Sequence, residues 1–252
     1  MTTDQYLQTV ISRNSRTPIQ ISDPRLNPII TSIKNWAGIY LKEIKLSGSS
    51  AKNVVISGEA DTDLFIALKS DTPNDLRFIY NSLAQWLMNH NFPVTKKTVA
   101  IETKSNNLKI DLVPGRLQSG YQIWYSLYNS NSGNWLQTNI DSHINDVINS
   151  GRRDEIRIIK IWCKNHNLKF PSIYLEQVIF EALFNRNKNQ LGTNVITILR
   201  YLSHDFQNKK IVDPSNSNNI LSDYLLSMSQ KRIIAEQAMK SLYEQYWEKI
   251  VW

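Results

Sequence analysis

The residues of this chain whose types and spacing could do chemistry are three aspartates and a glycine-serine pair. Asp61-Thr62-Asp63-Leu64-Phe65 reads as a strand. Alternate side chains of a strand share a face, so Asp61, Asp63 and Phe65 lie together, while Thr62, Leu64, Ile66 and Leu68 take the side better suited to a core. Two carboxylates this close repel each other unless a cation sits between them. Mg²⁺ suits the arrangement, because it takes carboxylate oxygens together with substrate phosphates. Ser47-Gly48-Ser49-Ser50, just upstream, is a small turn. Asp111 interrupts the apolar run Leu108-Lys109-Ile110-Asp111-Leu112-Val113, and a carboxylate in a core-forming strand costs free energy unless paired, hydrated or bound to metal. Three acidic residues on neighbouring strands behind such a turn can hold two metal ions for in-line phosphoryl chemistry. One ion would activate an attacking hydroxyl, with Asp111 as its partner and proton acceptor. The other would steady a triphosphate and its leaving pyrophosphate. An Asp-x-Asp pair alone is common, and Gly48-Ser49 alone is a turn; the specificity lies in their order.

The elements that must position these residues follow from periodicity and breakers. Residues 4–12 are weakly helical, and Pro18, Pro24 and Pro28 punctuate the stretch that follows. Helical spacing of Ile29, Ile30, Ile33, Trp36, Ala37 and Tyr40 predicts a helix within 26–42, followed by a short strand at 44–46. A second helix is predicted over 74–89. Strands at 94–103 and 108–113 are joined by a hairpin at 104–107, with Pro114-Gly115 ending the second strand. Residues 121–128 are extended, and the polar loop 129–134 is the natural place for a domain boundary. Beyond about residue 139 every piece reads helical: 154–166, 172–185, 194–204 and a long tail over 220–250. The tail's stripe of Ala235, Ala238, Met239, Leu242, Tyr243, Tyr246 and Ile250 reads as core. The organisation is a mixed α/β domain, residues 1–138, followed by an all-helical domain, residues 139–252.

Gly48-Ser49, eleven intervening residues, Asp61-x-Asp63 and a later strand aspartate at Asp111 resemble the signature of the polymerase-β-like nucleotidyltransferases. The resemblance implies an α+β fold. A mixed-sheet palm with flanking helices precedes a C-terminal helical lobe, and the active site lies in the cleft between them. It also implies a Gly48-Ser49 turn that holds nucleotide phosphates, and Asp61, Asp63 and Asp111 as catalytic ligands of two Mg²⁺ ions, for which Mn²⁺ can substitute. Residues 157–162, 170–176 and 212–219 follow the order seen in one branch of that superfamily. The branch contains the bacterial cGAS/DncV-like nucleotidyltransferases (CD-NTases) of anti-phage defence and, more distantly, oligoadenylate synthases and archaeal CCA-adding enzymes. The similarity to the bacterial enzymes spans roughly residues 26–250.

Four residues of the helical half take roles from this resemblance. Lys160 lies beside an apolar stripe, where a lysine either snorkels to solvent or is aimed at an anion. The resemblance assigns it to the triphosphate, with Lys164 one turn on as a second contact. Ser172 follows Pro171 at a predicted helix start, where it would serve as an N-cap, a phosphate ligand, or both. Tyr174 is either core or a platform on which a base stacks. His143 takes a structural role.

Composition narrows the classes further. The chain has 252 residues, of which 41% are hydrophobic and 20% charged, as in soluble globular proteins. Nothing approaches the about 18 apolar residues of a membrane span, and the N-terminus does not read as a signal peptide, so a cytoplasmic protein is expected. A single cysteine, Cys163, excludes a disulfide framework and the zinc insertion of animal cGAS. The RNA-grasping domains of CCA-adding enzymes are not evident in the sequence, which reads against that activity. The net charge of +7 is scattered in pairs such as Lys96-Lys97 and Arg152-Arg153, and it leaves nucleic acid open as a partner. The expectation is therefore a Mg²⁺-dependent enzyme that joins ATP or other nucleoside triphosphates into a cyclic or linear oligonucleotide messenger, read by a downstream effector. Transfer onto an RNA, DNA or protein acceptor, and a nucleotide- or RNA-binding pseudoenzyme, are the alternatives. Base, sugar, linkage and trigger are not written in the sequence.

Overall fold

The computed structural model describes residues 1–58 and 61–252. The chain forms two compact units that interleave in sequence. One comprises Met1–Thr17, Asn53–Gly58 and Asn145–Trp252; the other comprises Pro18–Lys52 and Glu59–Ile144. The first helix, α1 (Thr3–Asn14), starts at a Thr2/Gln5 capping box and lays Leu7, Val10 and Ile11 into the core of the helical unit. Val54 and Ile56 join the same core. The two units are thus not the contiguous segments 1–138 and 139–252. Short apolar patches near the start of the chain pair with helices encoded more than a hundred residues later.

The other unit is built on a sheet. Helix α2 (Asn27–Ala37) stops short of residue 42 because Gly38 takes φ +53°, a left-handed conformation that ends a helix at little cost for glycine. Strand β1 (Leu41–Leu46) follows, then the one-turn helix α3 (Gly48–Ala51), β2 (Asp61–Leu68), α4 (Leu76–Asn89), β3 (Thr95–Lys96), β4 (Ile101–Ser105), β5 (Leu108–Leu117), β6 (Tyr125–Tyr128) and β7 (Trp135–Thr138). Among the described residues these seven strands form one mixed sheet in the order β1-β2-β5-β4-β3, with β6 on β5 and β7 on β6. Strands β2 and β5 run parallel; the other pairs are antiparallel. Leu64, Ile66, Ile110 and Leu112 pack with Ile29 and Ile33 of α2 and with Ile79, Leu83 and Leu87 of α4. Each such side chain, once buried, contributes roughly 1.5–3 kcal/mol. Phe65, expected on the polar side of β2, is buried as well. It meets Tyr125 edge to face at 5.0 Å between ring centroids.

One expected turn is found, and two depart from the expectation. The β4–β5 hairpin closes on Asn106 and Asn107, both at positive φ, as a two-residue hairpin turn requires. Pro114-Gly115 does not end β5. On that flank β4 pairs only as far as Leu112 and β6 begins at Gly115, so Pro114 falls where no hydrogen bond is asked of its nitrogen. The loop 129–134 is no boundary, because it joins β6 to β7 within the sheet.

Helix α5 (Ile140–Ser150) carries the chain into the helical unit, followed by α6 (Arg153–Asn165), α7 (Ser172–Ala182), α8 (Leu191–His204), a hairpin of β8 (Val212–Asp213) and β9 (Asn216–Ile220), α9 (Leu221–Tyr224), α10 (Met228–Tyr243) and α11 (Trp247–Ile250). The small hairpin was not expected. Asp213 accepts hydrogen bonds from the Ser215 N–H and hydroxyl and from Asn219, which folds the Asp-Pro turn. The tail is three helices rather than one. A Ser227/Gln230 capping box opens α10, and Tyr243 and Tyr246 are exposed although Ala235, Ala238 and Ile250 are buried. No helix among the described residues is long and apolar enough to cross a membrane.

Candidate active site

Parallel pairing of β2 with β5 sets Asp63 directly beside Asp111, and Asp61 beside Lys109. Antiparallel pairing of β5 with β4 then sets Glu102 opposite Asp111. One row across three strands therefore reads Asp63, Asp111, Glu102, with Asp61 two residues back along β2. Oxygens of Asp61, Glu102 and Asp111 lie within 4.8 Å of one another, close enough to share a cation. Gly48 closes the site from the turn. At φ +57° it packs so tightly on Asp63 that a Cβ there would lie 1.9 Å from a carboxylate oxygen. The Ser47 N–H, donating to the Asp63 carbonyl at 2.9 Å, fastens the turn to the strand. Ser49, half-buried, is the next residue of α3.

The electrostatics are those of an overcrowded anionic site. Burial, then Asp111 and then Asp61 push the Asp63 carboxyl up to about 6, against the opposing pull of Lys97 and Lys52. Burial also raises Asp111, although Lys97 offsets part of the effect. Two ammonium groups reach in. Lys97 Nζ lies 2.7 Å from Asp111, 3.0 Å from Glu102 and 3.5 Å from Asp61; Lys109 Nζ lies 2.9 Å from Glu102 and 3.1 Å from Asp61. Their hydrogen bonds hold the Glu102 carboxyl below its ordinary value. The donor set, hard oxygens that already attract cations, fits Mg²⁺ or Mn²⁺. Glu102, Lys97 and Lys109 were not singled out from the sequence. Alternation in β4 sets Glu102 and Lys104 apart from Ile101, Thr103 and Ser105, but only the register assigns Glu102 to the aspartates.

The predicted residues of the helical unit have other neighbours. Arg157, Lys160 and Lys164, spaced along one face of α6, donate to the carbonyls of Asn53, Val54 and Ser57 respectively. Lys160 is buried in doing so, and it does not snorkel. Ser172 is exposed at the first turn of α7, where Pro171 takes the N-cap position and no side chain caps the helix. Tyr174 is fully buried against Phe170 and Phe206, so it presents no ring face on which a base could stack. His143 is half-buried within α5.

The chain matches no family model and no curated protein. Solved structures do resemble it. The sheet flanked by helices is a fold that this chain shares with solved CD-NTases. Escherichia coli MS115-1 CdnC, solved with ATP, is 19% identical at TM-score 0.69, covering 98% of this chain and 96% of its own. Elizabethkingia meningoseptica CdnE, a cyclic dinucleotide synthase solved with GTP and Apcpp, is 13% identical at TM-score 0.68, covering 97% and 100%. Bradyrhizobium diazoefficiens CD-NTase CdnG, solved in complex with GTP, is 12% identical at TM-score 0.72, covering 94% and 90%. The likeness is one of fold.

Proposed function

We propose that this protein is a Mg²⁺-dependent nucleotidyltransferase that joins nucleoside triphosphates into a cyclic or linear oligonucleotide messenger, releasing pyrophosphate, and that the messenger serves anti-phage defence by activating an effector. The in-register carboxylates of Asp63 and Asp111, with Asp61 beside them and Gly48 packed against Asp63, carry the reading. The solved structures of similar fold, one a cyclic dinucleotide synthase and others holding ATP or GTP, support it.

Asp61, Asp63 and Asp111 would hold the divalent ions. Mg²⁺ held by these residues would supply positive charge to offset that of a triphosphate during in-line displacement of pyrophosphate. Gly48 lets the turn approach the carboxylates without a side chain between them, so that it and Ser49 take the phosphates. Asp111, its carboxyl raised by burial, is suited to accept the proton of the attacking hydroxyl at a carboxylate oxygen. Lys164 and Ser172, both exposed, keep the phosphate roles that the resemblance implies, whereas the Lys160 ammonium is buried on the Val54 carbonyl.

Labelled nucleoside triphosphates incubated with the protein and Mg²⁺ or Mn²⁺ test this. The expected result is an oligonucleotide product, identified by mass spectrometry, that Asp61→Asn with Asp63→Asn reduces by about a thousandfold or more. Equal product from both proteins overturns the mechanism. Product that forms only when a polymer acceptor is added reassigns the chemistry to terminal transfer.

A further inference from the structure

Lys97 stands at the turn between β3 and β4, and its backbone is held from three sides. Its N–H donates to Ala100 at 2.9 Å, and its carbonyl accepts from the Tyr80 hydroxyl at 2.7 Å and the Ser130 hydroxyl at 2.9 Å. Freedom at this position belongs to the flexible four-carbon stem and not to the main chain. The stem delivers the ammonium to the point where Asp61, Glu102 and Asp111 converge, and it donates to both oxygens of Asp111, at 2.8 Å and 2.7 Å. The same three carboxylates are the ones whose oxygens are close enough to share a metal ion. An ammonium and a divalent ion cannot use one set of oxygens together. Each repels the other, and every lone pair given to Lys97 is lost to the ion.

We infer that Lys97 is the built-in counter-ion of the carboxylate site, so that it must swing off Asp111 and Asp61 before a divalent ion can bind. Metal binding is therefore an exchange of cations, not the filling of an open site. Glu102 and Lys109 complete the device. Glu102 hydrogen-bonds both lysines and, lying opposite Asp111 on the neighbouring strand, remains as an anchor to which the displaced ammonium can move. Such an exchange keeps Asp63 and Asp111 from facing each other without a counter-charge. It also makes the site's apparent affinity for metal lower than its four carboxylates would otherwise give. Lys97 is on this account a positioning residue that sets when the site is loaded. The inference rests on Asp61, Asp63 and Asp111 being a metal site.

The test is titration of Mn²⁺, without nucleotide, into chelator-treated wild type, Lys97→Met, Lys97→Arg and Asp61→Asn/Asp63→Asn, with free Mn²⁺ followed by electron paramagnetic resonance. Removing one like charge at hydrogen-bonding distance should tighten Mn²⁺ binding about tenfold in Lys97→Met, while Lys97→Arg stays near wild type. Affinity in Lys97→Met equal to or weaker than wild type overturns the exchange. A second measurement uses the wild type alone and does not depend on that variant folding. Acylation of lysine amines, mapped by mass spectrometry, should label Lys97 faster when Mn²⁺ is added, because its ammonium leaves Asp111 and Asp61 and keeps only Glu102. An unchanged labelling rate also overturns the exchange. The underlying metal reading fails separately, and only if Asp61→Asn/Asp63→Asn binds Mn²⁺ as wild type does.

Discussion

Two clusters of charged side chains within this protein invite comparison. In the helical unit Arg152 and Glu155 are almost wholly buried and pair with each other. Arg152 donates to Glu155 at 3.0 Å and to the carbonyls of Leu183, Arg186 and Asn187, while Asn194 donates to Glu155 at 2.8 Å. In the sheet unit Lys97 and Lys109 reach Asp61, Glu102 and Asp111 at hydrogen-bonding distance, and Asp63 beside them is driven up to about 6. The first cluster is closed: one cation, one anion and the carbonyls at the end of α7. The second carries an excess of negative charge that the protein itself does not cancel. A balanced buried network belongs to architecture, whereas an unbalanced one attracts a cation, and this difference is why we propose the sheet unit's carboxylates as the functional set.

The comparison can be broken most forcefully at Arg152. Arg152→Ala leaves Glu155 buried without its cation and should cost about 3–5 kcal/mol in denaturant unfolding. A loss within about 0.5 kcal/mol would show that the pair is not the structural element described. Asp63→Asn should act in the opposite direction. Because its folded pKa lies above the unfolded value of about 3.9, the ionised group costs stability above pH 6, and the cost disappears as the pH falls below about 4. With divalent ions chelated, Asp63→Asn should therefore stabilise the protein by about 2 kcal/mol at neutral pH and by nothing near pH 4, and with Mg²⁺ supplied it should remove product formation. Destabilisation at neutral pH would contradict the overcrowding.

Gly48→Ala should cost about 1–2 kcal/mol for left-handed backbone alone. It should also cut turnover at least about tenfold, since the new methyl falls on the Asp63 carboxylate. Wild-type turnover would show that the turn does not fix Asp63. The smallest effect is expected at Tyr174, whose buried hydroxyl has no hydrogen-bond partner among the described residues. Tyr174→Phe should change stability by no more than about 1 kcal/mol, toward stabilisation, with turnover unchanged. A large fall in nucleotide affinity would restore Tyr174 to the binding site.

Much of the sheet unit was legible before any coordinates. Strand β2 was bounded by its own pattern, and the Asp61/Asp63 face followed from the two-residue period. Helix α4 showed its stripe of Ile79, Leu83 and Leu87, and the asparagines before β5 announced a hairpin. Less legible was anything set by partners distant in sequence. Pro114-Gly115 looked like a strand end because a proline lacks a donor, yet β5 continues where its neighbours change. Residues 129–134 looked like a linker because they are polar, yet they turn a hairpin. Tyr174 looked equally suited to stacking or to packing, and its burial against Phe206 decided for packing.

By itself, then, the sequence determined the local elements and named Gly48, Asp61, Asp63 and Asp111, because periodicity and the cost of a carboxylate in an apolar strand are properties of neighbouring residues. Only the tertiary structure decided that Glu102 and Lys97 stand among those aspartates, and that α1 and residues 53–58 belong with the helices. Strand register and helix packing join residues far apart in the chain, and no local pattern records which partner each will find.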